Sequence, residues 1–389
     1  MSTSKPVGKG APLQPPWTRP IDFAEKPIFV CWETTKSCLL SCRHCRATAI
    51  RSSLPGELDT AAGLALIDQL LEFGEPYPAL LFTGGDPLMR SDIFDLIRRA
   101  RERGIYTAVA ASVTPLLGND RMDLMRDLGV EVVSVSLDGA SPAVHDRIRE
   151  IDGTWQATLD AIQRASERGL RMQVNTTVMN SNLHQLADIF HLVRERGAVA
   201  WEVFFLVRTG RGSSLENPDA AQCDQAAQFL YDCTRYGIPV RTSEGPFFRR
   251  VALQRQKDPH PPGGALYEEL AQRLRQLEGP PRNPPAVRMS GTGDGKGILF
   301  IAHDGEVYPS GFLPLSCGNV TTGTLKAIYT THPLLVDLRT PSRLKGRCGA
   351  CEFAPVCGGS RSRAYAEFDD PLQEDPSCVY EPPRTEARR

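Results

Sequence analysis

The 389-residue chain has no excess of charge of either sign: 45 Lys and Arg stand against 46 Asp and Glu, a formal net charge of -1. That balance supplies no bulk electrostatic pull toward nucleic acid or an anionic membrane surface, and neither is expected as a partner. No run approaches the roughly 18 apolar residues of a membrane span, and Met1 to Gly10 lacks the apolar core of a secretory signal. The expectation is therefore a cytoplasmic protein. Solenoid-type repeats are absent as well. What the chain does have is cysteine, 11 residues in all. In a reducing compartment, tightly spaced cysteines point to metal binding or catalysis rather than to disulfides.

Residues 1–26 are rich in Pro, Gly, Lys and Ser and read as a disordered arm. From Ile28 to Val207, short apolar runs alternate with amphipathic stretches, the pattern of repeated βα units around a parallel sheet. The strands are expected at Ile28 to Trp32, Ala79 to Phe82, Ile105 to Ala110, Val130 to Leu137, Leu170 to Val178 and Ala200 to Val207. Helices are expected near 60–73, 91–103, 120–127, 154–168 and 183–196, starting at Thr60, Ser91, Thr154 and Asn182. Gly104, Gly129, Gly169 and Gly197 fall where left-handed C-caps would need glycine.

Six strands predict an α/β fold with an incomplete TIM-type (β/α)6 barrel over residues 27–215. Right-handed crossovers put its functional side chains at the C-terminal strand ends. Polar residues do gather there: Cys38 to Cys45 after strand one, Thr83-Gly84-Gly85-Asp86 after strand two, and Ser112 after strand three. Ser136 and Asp138 follow on strand four, Asn175 on strand five, and Arg208 and Arg211 on strand six. Residues 216–297 read as a bridging region with flexible parts around one helical pattern, Ala265 to Leu277. A small cysteine-rich α+β domain is expected over 298–381. It opens with a hairpin, Ile298 to Ile301 and Glu306 to Tyr308, turning at Asp304-Gly305, and a tail over 382–389 follows it.

Cys38-x-x-x-Cys42-x-x-Cys45 places three thiolates in one short loop. Iron-sulfur clusters use thiolate ligands and commonly need four, so three leave one iron open to a substrate or cofactor. Zinc is the competing reading. It favours separated ligand pairs, and His44, beside Cys45, is poorly placed to chelate the same ion. The second set, Cys348-x-x-Cys351, Cys357 and Cys378, suits a 4Fe-4S cluster or a zinc tetrahedron equally by spacing. Cys31 on strand one reads as core, and Cys223 and Cys233 as incidental.

The first motif resembles the signature of the radical S-adenosylmethionine (SAM) superfamily, with His44 in the normally aromatic position. The resemblance implies a 4Fe-4S cluster on Cys38, Cys42 and Cys45 whose open iron binds SAM, with His44 beside the adenine. Thr83-Gly84-Gly85-Asp86-Pro87 resembles the family's Gly-Gly-Glu-Pro motif, implying that Gly84, Gly85 and Asp86 receive the SAM amino group. The shorter Asp86 either reaches it or leaves the contact to backbone carbonyls. Ser136-Leu137-Asp138-Gly139 with His145-Asp146-x-x-Arg149 resembles a stretch of members that carry auxiliary clusters. It implies Ser136 at the ribose or methionine part and Arg149 on the SAM carboxylate, a task suited to guanidinium. Without the resemblance, His145 and Asp146 read as caps of the next helix. Ser112, Asn175 and the Arg208 to Gly212 stretch are candidate cofactor or substrate contacts, or ordinary loop bonding.

The C-terminal segment is similar to the SPASM or twitch auxiliary-cluster domain. That implies a second 4Fe-4S cluster on Cys348, Cys351, Cys357 and Cys378. A further cluster is not expected, because Ser310 stands where a cysteine would be needed and serine is a poor iron ligand. Cys317 is left as a packed residue, a borrowed ligand or a substrate-facing thiol.

Further stretches resemble the heme synthases of the siroheme-dependent heme pathway: Trp32-Glu33-x-Thr35-x-Ser37-Cys38, Cys45-Arg46-Ala47, Pro55-Gly56-Glu57-Leu58, Phe205-Leu206-Val207 to Gly212, and the cysteine-rich tail. What this implies is an enzyme that reductively cleaves SAM to a 5′-deoxyadenosyl radical, takes a hydrogen from a tetrapyrrole and decarboxylates it oxidatively. A reductant such as flavodoxin or ferredoxin would be its partner. The alternatives are a peptide-modifying maturase, for which the 26 residues before strand one are too few to form a peptide-recognition domain, and a non-catalytic iron-sulfur electron carrier.

Overall fold

The computed structural model describes residues 13, 15–18, 20–260, 263–287 and 289–383. Its first half alternates strand and helix: β1 (Phe29–Glu33), α1 (Thr60–Gln69), β2 (Ala79–Thr83), α2 (Ile93–Glu102), β3 (Thr107–Ala110), α3 (Asn119–Asp127), β4 (Val132–Ser136), α4 (Pro142–Arg149), α5 (Thr154–Glu167), β5 (Met172–Val178), α6 (Leu186–Glu195) and β6 (Ala200–Phe205). Then come α7 (Ala220–Cys233), β7 (Val240–Ser243), α8 (Phe247–Lys257) and α9 (Ala265–Glu278). The chain closes with β8 (Gly293–Asp294), β9 (Gly297–Ile301), β10 (Val307–Tyr308), α10 (Leu325–Thr331), α11 (Pro333–Arg339), α12 (Gly346–Ala350) and α13 (Arg361–Phe368).

One sheet runs in the order β10-β9-β1-β2-β3-β4-β5-β6-β7, with β8 beside β9. Neighbours are parallel throughout except the β9–β10 hairpin. This is the expected partial α/β barrel with more strands than the sequence announced. β5 shows how it is made. Met172, Val174, Thr176 and Val178 are buried while Gln173, Asn175 and Thr177 are half-buried. A period of two thus sends the first set toward the helices and leaves the second on the barrel interior. The main core lies between the outer sheet face and the helices, where Trp32, Phe82, Val174 and Trp201 meet Leu66, Ile97, Ile162 and Phe190. Gly63 on α1 is there for room, since a Cβ would stand 2.7 Å from the Trp32 ring.

Gly104, Gly129, Gly169 and Gly197 all take the left-handed conformation, with φ between 70° and 81°. Helix starts shift by a residue: Asp59 caps α1 by accepting from Ala62 N–H, Asp92 precedes α2, and Thr154 is the first residue of α5 rather than its cap. Three boundaries differ more. Residues 216–297, expected to bridge with one helix, carry α7, α8, α9 and a seventh parallel strand, β7, paired with β6. The hairpin expected to open a separate domain joins the barrel sheet, because β9 pairs with β1. Of the expected N-terminal arm, residues 1–12, 14 and 19 lie outside the described residues, as do 384–389 of the expected tail. The end of the arm is anchored, since Phe23 C=O accepts from the buried Tyr329 hydroxyl at 2.6 Å and Lys26 Nζ reaches the carbonyls of Gly74, Glu75 and Pro76. Among the described residues no helix is long and apolar enough to cross a membrane.

Candidate active site

The first cysteine loop leaves β1 and is closed at its base. Ser37 bridges Ile50, with Cys38 N–H donating to Ile50 C=O at 2.7 Å and Ile50 N–H to Lys36 C=O at 3.0 Å. Glu57 holds the approach, its Oε1 accepting from Thr35 Oγ1, Lys36 N–H and Leu54 N–H. Within the loop, Cys38 and Cys42 are buried together with Leu40 and Ala49, and Cys45 and Ile151 pack against them.

The Gly84-Gly85-Asp86 turn is zipped onto the same segment: Gly85 N–H donates to Thr35 C=O at 2.8 Å and Asp86 N–H to Ser37 C=O at 2.7 Å. The contact admits no side chain at Gly85, where a Cβ would lie 2.3 Å from the Ser37 carbonyl. These glycines therefore let the turn after β2 touch the strand that leads into Cys38. The Asp86 carboxylate is fully buried and turned to its own chain. It accepts from Leu88 N–H at 3.1 Å, Ser112 N–H at 3.4 Å and Thr114 Oγ1 at 3.3 Å. Burial pushes its carboxyl up to about 6. Ser112 Oγ in turn lies 3.4 Å from Cys38 Sγ.

Asp138 organises the opposite side. Buried at the end of β4, its carboxylate pairs with Arg149 and accepts from Thr177 N–H at 2.7 Å, with His44 Nε2 3.5 Å away. Burial works against the Asp138 anion, but the charge of Arg149, helped by the Thr177 N–H bond, outweighs it and holds the carboxyl below its usual range. Burial pulls the His44 ring down to about 4, so it is a neutral imidazole and its approach to Asp138 is a polar contact rather than an ion pair. Arg149 Nη1 also points at Cys42 Sγ, 3.4 Å away. Two buried nitrogens here, His44 Nδ1 and Arg149 Nε, have no partner among the described residues. Such groups call for a polar ligand, as the amino-acid end and adenine of SAM would be. Ser136 and Asn175 sit side by side in the β4–β5 register, both half-buried on the barrel interior.

The structure also assigns the remaining motif residues. Asp146 caps α5, accepting from Gly153 N–H, Thr154 Oγ1 and Trp155 N–H. Arg211 braces the cysteine loop, donating to Cys42 C=O at 2.9 Å and Ala49 C=O at 3.1 Å. Asp138 was legible at the end of strand four and within the Ser136 to Gly139 motif, and its role as hub comes from the fold.

The second cysteine set lines one pocket: Cys348, Cys351, Cys357 and Cys378, with Arg250, Arg347, Gly359 and Tyr380 around them. Burial raises the thiols of Cys351 and Cys378 and pushes Cys357 up to about 12, so they keep their protons unless a metal replaces them. Among the described residues no three His, Cys, Asp or Glu side chains converge on a single-ion point. Cluster thiolates need not converge, because each binds its own iron. Cys317 belongs to the main core, and Ser310 is buried against Ser362, their hydroxyls 3.1 Å apart.

Comparison with known proteins agrees with this geometry. A model described as the radical SAM superfamily matches residues 32–193. A protein named AdoMet-dependent heme synthase, from Nitratidesulfovibrio vulgaris, is 35% identical over 91% of this chain and 93% of its own length. Another of that name, from Methanosarcina barkeri, is 33% identical over 93% of this chain and 99% of its own length. Among solved structures, Streptococcus suis SuiB bound to S-adenosylmethionine superposes with a TM-score of 0.66 at 13% identity, covering 92% of this chain and 78% of that one, a likeness of fold alone. Identity sustained along nearly the whole chain, on a barrel that gathers three cysteines at the end of its first strand, makes this protein a member of the radical SAM superfamily, enzymes that work with S-adenosylmethionine and a 4Fe-4S cluster.

Proposed function

We propose that the enzyme decarboxylates propionate side chains of an iron tetrapyrrole to vinyl groups, as in heme biosynthesis. The observation that carries this reading is the match, over more than nine tenths of the chain, to proteins named AdoMet-dependent heme synthase. In this reading, residues 27–215 form the radical SAM core and 298–381 an auxiliary iron-sulfur segment whose β9–β10 hairpin is part of the barrel sheet. Cys38, Cys42 and Cys45 hold the SAM-binding cluster, and Cys348, Cys351, Cys357 and Cys378 the auxiliary 4Fe-4S cluster.

When bound, the first cluster supplies the electron that splits SAM into methionine and a 5′-deoxyadenosyl radical. The protein's own residues bind and orient. The unpartnered Arg149 Nε and His44 Nδ1 face SAM, the first toward its carboxylate and the second toward its adenine, with Asp138 fixing both side chains. Gly84 and Gly85 offer backbone carbonyls to the SAM amino group. Because the Asp86 carboxylate is spent on Leu88, Ser112 and Thr114, it shapes this turn rather than reaching SAM. Ser112, Ser136 and Asn175 complete the polar wall of the interior. On the substrate, a hydrogen atom leaves for the radical, giving 5′-deoxyadenosine. The bond to the carboxylate then breaks as the vinyl double bond forms, releasing carbon dioxide and one electron, for which a cluster held by Cys348, Cys351, Cys357 and Cys378 would be the acceptor. A flavodoxin- or ferredoxin-type reductant supplies the electron for SAM cleavage.

The test is anaerobic incubation with iron coproporphyrin, SAM and reductant. The expected product has lost two carboxyl groups as carbon dioxide, each with one hydrogen. An unchanged tetrapyrrole, with 5′-deoxyadenosine formed only when a peptide is supplied, would move the enzyme to the peptide-modifying class.

A further inference from the structure

Around the second cysteine set, two buried arginines lack a carboxylate. Arg361, at the start of α13, is 4% exposed; it donates to the carbonyls of Gly359, Pro371 and Gln373 and points Nη2 at Cys348 Sγ, 3.5 Å away. Arg249 on α8, 9% exposed, donates to Val356 C=O at 3.0 Å, beside Cys357, and to Thr292 Oγ1 at 3.2 Å. Their neighbours show what is missing: Arg250 pairs with Asp224, Arg347 with Glu374 and Arg363 with Asp375. Among the described residues no Asp or Glu pairs with Arg249 or Arg361. A guanidinium cannot shed its proton in a protein, and burying one without an anion is strongly unfavourable. With a cluster bound, the anions nearest them are the thiolates of Cys348 for Arg361 and of Cys357 for Arg249, which also feels the more distant Glu202.

We propose that Arg249 and Arg361 are the fixed counter-charges of the auxiliary cluster and hold its reduction potential up, so that it accepts electrons readily. The inference rests on the reading that this cysteine set carries a 4Fe-4S cluster. Reduction adds one negative charge to a site with two immobile cations in a poorly solvated pocket, and those cations favour the reduced form. Carbonyl partners on Arg361 fix its geometry without cancelling its charge, so the effect does not depend on pH in the working range.

The experiment is an EPR-monitored redox titration of the anaerobically reconstituted holoenzyme, its Arg361→Gln and Arg249→Gln variants, and the charge-keeping Arg361→Lys and Arg249→Lys. Added SAM perturbs the signal of the first cluster and tells the two apart. At a potential where the native auxiliary cluster is half reduced, its reduced-to-oxidised ratio is expected to fall about tenfold in each Gln variant, a 59 mV downward shift for one electron. The Lys variants should keep most of the native ratio, and the first cluster should not move. An auxiliary ratio unchanged in both Gln variants, with iron retained, would overturn the proposal. Loss of auxiliary iron from Gln but not Lys variants would support it, and loss from both would refute it by showing a shape requirement. Native protein with only about four irons would instead remove the underlying auxiliary-cluster reading.

Discussion

Replacing Asp138 by Asn tests the hub of the site. The substitution keeps the shape and an acceptor for the Thr177 N–H, but removes the charge that compensates Arg149, itself buried and bonded to Cys42. Removing one partner of a buried ion pair costs about 3–5 kcal/mol, since the other charge is left uncompensated. With the Thr177 bond retained, the expected loss is near the low end, about 3 kcal/mol. The folded-state value of Asp138 is depressed, so its contribution is complete above the unfolded value of about 3.9 and is lost only as pH falls through the lower folded value. The difference between native and variant should therefore be constant from pH 6 to 8. Urea unfolding of the reconstituted enzyme under anaerobic conditions, followed by cluster absorbance and by circular dichroism, measures it. The double variant Asp138→Asn/Arg149→Met also removes the uncompensated cation and should be about 2 kcal/mol more stable than Asp138→Asn alone. A cost under about 1 kcal/mol, or simple additivity in the double variant, would refute the hub assignment.

Cys42→Ala should abolish 5′-deoxyadenosine formation and lower iron from about eight to about four per chain, because two local thiolates will not retain the first cluster; retained SAM cleavage would contradict its place there. Gly85→Ala should cost the first cluster by pushing the turn off the Ser37 carbonyl, whereas Gly293→Ala, with nothing within 4 Å of its added Cβ, should change stability by less than about 0.5 kcal/mol in the same unfolding assay. Cys317→Ala should leave the iron count unchanged. The last prediction concerns pH: Glu244 follows β7 and binds Asp294 and Ser360, and burial with Asp294 beside it raises its carboxyl well above the usual range. Its stabilising contribution is thus fully present below the unfolded value near 4.3 and is lost as pH rises toward the folded value. Glu244→Gln should remove that downward slope, read as urea midpoints between pH 5 and 8.

The barrel was legible where its chemistry is two-faced. Apolar runs marked the helix-facing side of β1 to β6, and glycines at 104, 129, 169 and 197 marked helix ends because only a left-handed residue fits there. β7 escaped notice because Val240–Ser243 reads Val-Arg-Thr-Ser; only Val240 is buried, the rest lying half-exposed at the open edge of the sheet. α7 was hidden by its nine buried residues, which blur helical periodicity; in the fold its start is closed by an Asp219–Gln222 capping box. Both cysteine sets stood out by their spacing, and the fold brings the members of each together. The hub role of Asp138 was not legible, because nothing in its local sequence shows that β5 brings Thr177 and α4 brings Arg149 to the same carboxylate. The reverse holds for Asp86, where the motif suggested a ligand contact and the fold turns the carboxylate to its own turn and the loop after β3.

The pairing of β1 with β9 carries a consequence for synthesis. Phe29 lies opposite Ile298, so the strand that leads to the first cysteine loop has no neighbour on one flank until about 270 further residues have been made. At about 5–20 residues per second, that flank stays open for roughly 15–50 s on the ribosome. An open parallel edge is a template for wrong partners. The sheet is shut on that flank only by the last quarter of the chain, which begins with β9 at Gly297.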